Sequence, residues 1–129
     1  MTFVMIGLGG ALGAMARYIL SQLVDKMGGT GLSWGMLAVN VLGSFLMGFV
    51  IGFALQESWE ECWNLFLLTG FLGAFTTFST YSVEVAMLIQ EGEVKLGLIT
   101  MVAHNAISLL CAGVGLWLWT ILFAKSSSF

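Results

Sequence analysis

The chain has 129 residues, 59% of them hydrophobic and 9% charged, with a net charge of −3 and a mean hydropathy of +1.00. Soluble domains carry roughly 25% charged residues, so this composition excludes a soluble fold, and a total of four Lys and Arg excludes a nucleic-acid-binding surface. One membrane crossing takes ~20 apolar residues, so residues 1–129 are expected to form a single transmembrane unit of four helices with short loops.

The first apolar stretch covers residues 2–24. Its start has no basic n-region and the run outlasts a signal peptide, so it reads as a span and not as a cleaved leader. Gly9 and Gly13 are spaced for close helix contact. The glycines from Gly7 to Gly13 do not make a dinucleotide loop, because the last comes one residue late and no strand precedes them. Arg17 lies towards the far end of the span, where a charged residue is costly and a functional candidate. With Tyr18 it reads as an interfacial anchor that adds positive potential at an anion entrance. Asp25 to Gly31 is a turn signal.

The second stretch covers residues 33–55 and is bare around Gly35, Gly43, Ser44 and Gly48. Asn40 sits in its middle and must find a hydrogen-bond partner. One reading is an interhelical clasp, worth about 1 kcal/mol in a membrane. The other is an amide that donates to a permeating anion. Both are open on the residues alone.

The third stretch, residues 62–89, is longer than one straight crossing needs. Five hydroxyls fall within seven positions (Thr76, Thr77, Ser79, Thr80, Ser82), with Phe75, Phe78 and Tyr81 at three-residue spacing. There is no proline, so a break here would come from glycine and hydroxyl residues. Irregular backbone at membrane depth survives only where protein buries it or where it lines an ion path. Freed carbonyls would suit a cation, while hydroxyls and the start of the following half-helix would suit an anion. The edge of an aromatic ring such as Phe78 is electropositive and can face a small anion. The alternative is an aromatic packing cluster whose hydroxyls bond back to the helix. Glu84 is the only acid clearly inside this stretch; it reads as a proton relay, an ion-site carboxylate or a hydrated interfacial residue.

The fourth stretch covers residues 94–123. His104, Asn105 and Ser108 form a polar stripe that either lines a pore or satisfies itself within the packing. Cys62 and Cys111 lie in separate apolar segments without metal-ligand spacing, and are expected to be unpaired thiols behaving as small hydrophobes. Lys125 shares one membrane face with the second loop, and Lys26 and Lys95 share the other, with Arg17 near it. Such a weak Lys/Arg bias is compatible with insertion both ways, and hence with a dimer of opposed copies; it is also compatible with one orientation.

These pieces resemble the small fluoride channels, the Fluc or CrcB family. The matching residues are Gly9-Gly10-x-x-Gly13-Ala14-x-x-Arg17-Tyr18, then Val39-Asn40-x-x-Gly43-Ser44-Phe45-x-x-Gly48, then Gly70-Phe71-x-Gly73-x-x-Thr76-Thr77-Phe78-Ser79-Thr80. The resemblance spans nearly the whole chain. It implies an all-α integral membrane protein, four helices per subunit, with the third broken mid-membrane and two subunits in an antiparallel dual-topology homodimer. It further implies two fluoride pores and a central structural sodium ion on the backbone carbonyls of Gly73 and Thr76, two from each subunit. Asn40 would hydrogen-bond fluoride, Phe78 would present a ring edge beside Ser79 and Thr80, and His104 and Ser108 would begin a polar track. Glu84 matches an acid near a pore mouth, and Arg17 a basic residue of the first motif. Two positions depart from the family: its second pore phenylalanine falls at Tyr81, and its polar track meets Ala112.

The expected function is passive fluoride export through the plasma (inner) membrane, without enzymatic chemistry. One rival is a small dual-topology multidrug or cation exporter, which wants an acid in the first helix; no carboxylate precedes Asp25. The other is a membrane assembly subunit that transports nothing.

Overall fold

The computed structural model describes residues 1–55 and 59–123, so residues 56–58 of the polar break expected at 56–61, and the tail carrying Lys125, lie outside the described residues. Every described regular element is helical, and four helical runs are long and apolar enough to cross a membrane. Helix α1 is Thr2–Gly28 and α2 is Trp34–Leu55. The third run, Glu61–Gln90, is composite. It contains α3 (Glu61–Trp63), a nine-residue π-helix (Asn64–Leu72), α4 (Gly73–Phe75) and α5 (Ser79–Gln90). Helix α6, Val94–Phe123, has 30 residues; at 1.5 Å per residue this is about 45 Å, longer than a ~30 Å hydrocarbon core.

Helix α1 runs beyond residue 24 to Gly28. The Asp25 carboxylate makes no turn of its own; it accepts the Gly35 N–H at 2.7 Å. Lys26 sits in the last turn, where a cation suits the helix dipole. The chain turns only at Gly29 (φ 79°) and Gly31 (φ 113°), in the left-handed region that glycine enters without a Cβ penalty. Glu84 reaches the same place from α5, its Oε1 accepting the Ser33 N–H at 2.9 Å. Two carboxylates thus serve amides around the start of α2, where backbone donors lack helical partners and the dipole favours negative charge.

Packing follows the small residues. Helix α1 lies against the first half of the third run, α2 lies mainly against α6, and α5 also lies against α6. The third run therefore changes partner between Phe75 and Ser79. A Cβ added at Gly9 or Gly13 would overlap the Phe66 or Phe71 carbonyl, and one at Gly48 would overlap that of Ala112. Close backbone approach of this kind supplies the contact that hydrophobic drive cannot supply in lipid. Gly48→Val is expected to lower stability by about 1–3 kcal/mol, since overpacking here meets backbone and not a movable side chain. A thermal melt in detergent that matched the wild type would contradict the packing described.

The buried apolar set is small: Val39, Leu72, Phe75, Tyr81, Val85 and Trp119. Phe3, Leu109, Leu110 and Trp117 are exposed, the opposite of what a water-soluble chain does with such side chains and the arrangement that lipid requires. Both cysteines are unpaired and half-buried.

Candidate functional site

Helix α4 ends at Phe75, and the last helical bond runs from the Thr76 N–H to the Leu72 carbonyl at 3.2 Å. Thr76 is extended (φ −86°, ψ 153°), and α5 begins at Ser79. Asn40 organises this interruption from α2. Its Oδ1 accepts the Thr77 N–H at 2.9 Å, and its Nδ2 donates to the Thr77 carbonyl at 3.0 Å. The pairing settles the side chain's orientation, because the backbone N–H needs an acceptor and the carbonyl a donor.

The rerouted donors have consequences upstream. In a continuous helix the Thr77 N–H would bond the carbonyl of Gly73, four residues back; here Asn40 takes it. The Thr80 N–H would bond the carbonyl of Thr76; here it points to the Thr77 hydroxyl at 3.5 Å. The Thr77 hydroxyl also lies 3.3 Å from the hydroxyls of Ser79 and Thr80. Both carbonyls are thereby released from their helical donors. Thr76 spends its own hydroxyl on the Leu72 carbonyl at 3.1 Å. The π-helix directly before this point adds a second irregularity, of a kind frequent at functional sites.

A groove of about 280 Å³ opens beside the interruption. Asn40, Ser44, Thr76 and Thr77 line one side, Phe78 and Tyr81 contribute rings, and α6 contributes His104, Asn105, Ser108, Leu109 and Ala112. No carboxylate and no cationic side chain is among these. Asn40 uses one amide hydrogen on Thr77, and an Asn amide carries two, so one N–H remains for a ligand in the groove. Phe78 is 72% exposed and meets Tyr81 edge-to-face, with ring centroids 5.5 Å apart and planes at 63°. Tyr81 is buried and stacks on His104 at 4.6 Å and 14°.

Along α6, Thr100, His104 and Ser108 stand at four-residue spacing, so they share one face. His104 is 3% exposed and neither ring nitrogen has a partner among the described residues. The hydroxyls of Thr100 and Ser108 are likewise buried without a partner among those residues. A buried polar atom left unpaired costs about 1–3 kcal/mol, and three such residues in a row along one face ask for a polar occupant that the described residues do not supply.

Five expected pore residues line the groove: Asn40, Phe78, Tyr81, His104 and Ser108. Ser79 and Thr80 do not line it; they surround the Thr77 hydroxyl at the start of α5. Thr76 lines it and Gly73 does not. Arg17 is half-buried on α1 and Glu84 is tied to Ser33; neither lines the groove. Sequence reasoning named Thr77 only as one hydroxyl of the third stretch and did not single out Thr100. Thr77 acts through its backbone N–H and carbonyl as well as its hydroxyl, whereas Thr100 was detectable as the position four residues before His104. Among the described residues no group of three His, Cys, Asp or Glu is placed to hold a metal ion.

Residues 4–116 match the family model described as CrcB-like protein, Camphor Resistance (CrcB). A protein of Magnetococcus marinus named "Fluoride-specific ion channel FluC" is 44% identical over 112 residues, covering 86% of this chain and 91% of that protein. Proteins of the same name from Hydrogenovibrio crunogenus and Salinibacter ruber are 40% and 42% identical. They cover 87% and 85% of this chain, and 86% and 83% of their own lengths.

Proposed function

Because this chain belongs to the CrcB-like family, we propose that it is a fluoride-selective channel that lets fluoride leave the cell passively and so relieves its toxicity. The observation that carries the reading is the groove, whose lining brings together Asn40, with one amide N–H beyond its bond to Thr77, the Phe78 ring and the Ser108 hydroxyl, unpartnered among the described residues. Fluoride is small and strongly hydrated. A path for it must replace water with donors and electropositive ring edges, without a full positive charge that would hold the ion too tightly for release. The groove offers such groups and presents no carboxylate to repel an anion.

The working unit in this reading is an antiparallel, dual-topology homodimer in the plasma (inner) membrane, with two pores and the interruption of the third helix at mid-membrane. Each chain would bring its Gly73 and Thr76 carbonyls to a central sodium ion. Both carbonyls are released from their helical donors, and neutral backbone oxygens of irregular helices are suitable ligands for sodium. The ion would supply structural cross-linking only. Within each chain, Asn40 holds Thr77, and through it the course of the backbone between Phe75 and Ser79.

Export is tested in a bacterial strain made fluoride-sensitive by loss of its own exporter. Expression of this chain is expected to restore growth at millimolar fluoride, and Asn40→Ala to restore it less. Growth no better than with an empty vector, from protein found in the membrane, would contradict the proposal.

A further inference from the structure

Tyr81 stands where the family's pore phenylalanine is expected, and its hydroxyl raises a specific difficulty. A phenol O–H can donate to fluoride, and a charge-assisted bond of that kind is strong. Strong capture opposes conduction, which needs binding weak enough for release. The chain answers this on α6. Asn105 donates from Nδ2 to the Tyr81 hydroxyl oxygen at 2.7 Å, and from the same nitrogen to the Met101 carbonyl at 2.8 Å. The Tyr81 O–H in turn donates to that carbonyl at 3.4 Å.

These three contacts close a triangle on the Met101 carbonyl, which also faces the helical N–H of Asn105. An Asn amide has two N–H donors, and both are used. A tyrosine hydroxyl has one proton, and it points to Met101. Asn105 lies four residues after Met101, so its bond to that carbonyl is local to the helix, and it aims the second N–H at Tyr81. The tyrosine ring is independently held by stacking on His104 and by the edge contact with Phe78. The ring position therefore does not depend on Asn105, while the hydroxyl's direction does. The 3.4 Å bond to Met101 is near the long limit for an O–H donor and would not hold the proton by itself.

We infer that Asn105 is a positioning residue for conduction: it keeps the Tyr81 hydroxyl turned towards Met101, so that permeating fluoride meets an aromatic ring and no free phenol proton. Tyr81 then behaves as the phenylalanine it replaces, and Asn105, although it lines the groove, is not itself a fluoride donor. This inference rests on the fluoride-channel reading above.

The test uses purified full-length protein in liposomes, with fluoride efflux followed by a fluoride electrode over a range of fluoride concentrations. The variants are Tyr81→Phe, Asn105→Leu and the two combined. Tyr81→Phe is the reference background, in which no phenol proton is present to be positioned. Asn105→Leu is expected to conduct about tenfold more slowly and to half-saturate at a correspondingly lower fluoride concentration, the effect of one added hydrogen bond to the ion. The double variant is expected to regain the rate and the half-saturation of Tyr81→Phe. That recovery is what a purely structural role for Asn105 would not give.

Unchanged flux in Asn105→Leu would overturn the inference. So would a double variant that is slower than Tyr81→Phe by the same factor that separates Asn105→Leu from the wild type. Failure of Asn105→Leu to fold in both the native and the Tyr81→Phe background would assign Asn105 to helix stability and would also overturn it. A silent wild type would strike the channel reading first, and is distinguishable because it precedes any comparison of variants.

Discussion

Asn40→Asp is expected to abolish fluoride flux. The substitution is nearly isosteric and keeps one oxygen for the Thr77 N–H, but it replaces the amide donor with a second carboxylate oxygen. Two effects follow. The spare N–H in the groove is lost, and a negative charge stands where the anion must pass. At ~4 Å and an effective dielectric of 20, like charges repel by about 4 kcal/mol, a factor of about 1,000 in occupancy or rate. The new oxygen also opposes the Thr77 carbonyl that Asn40 now satisfies, at a further cost of about 1–3 kcal/mol in stability. Asn40→Ala separates out the charge, because it removes the amide without adding a carboxylate. Flux measured for both variants in liposomes should rank wild type, then alanine, then aspartate. Equal losses in the two variants would mean that the added charge is not felt by the ion, and the proposed passage of fluoride beside Asn40 would be withdrawn.

The second large effect is expected from sodium. If the Gly73 and Thr76 carbonyls hold that ion, sodium binds the folded assembly and not the unfolded chains. At 100 times its dissociation constant it then stabilises by about 2.7 kcal/mol. Purified protein in sodium is therefore expected to melt at a higher temperature and to remain dimeric longer than in N-methylglucamine at equal ionic strength. Thr76→Ala should preserve the sodium effect, because the ligand is the backbone carbonyl and the side-chain hydroxyl is spent on Leu72. Melting and assembly indifferent to sodium would contradict the proposed ion, while leaving the groove and its reading untouched.

The four helical runs were legible because the bilayer leaves so few options: a long apolar segment must satisfy its backbone internally, and the helix does so within one segment. The end of α1 was not legible in the same way. Asp25, Lys26 and Gly28 have the composition of a turn, yet Asp25 reaches Gly35 and Lys26 suits the helix terminus, so the helix continues until Gly29. Asn40 shows what residue type alone leaves undecided. A mid-span amide was readable as a clasp or as an anion donor; the clasp to Thr77 is present, and one N–H is left over. Thr77 stood out only as one hydroxyl of five; that Asn40 holds its main-chain N–H and carbonyl was not readable from residue type. Ser79 and Thr80 gather around the Thr77 hydroxyl at the start of α5, as such residues tend to do where backbone donors are free, a contact that residue type did not specify. Asn105 passed as a neighbour of His104, since only the folded distance to Tyr81 gives it a task.

The central claim is that this chain conducts fluoride and discriminates against larger anions. Purified protein in liposomes loaded with potassium fluoride, or in parallel with potassium chloride, tests it when valinomycin is added and the released anion is followed by an ion-selective electrode. Fast fluoride efflux that depends on valinomycin, with chloride retained, is the expected result. Retention of fluoride by vesicles that contain folded protein, or release of chloride at the same rate, would contradict the claim.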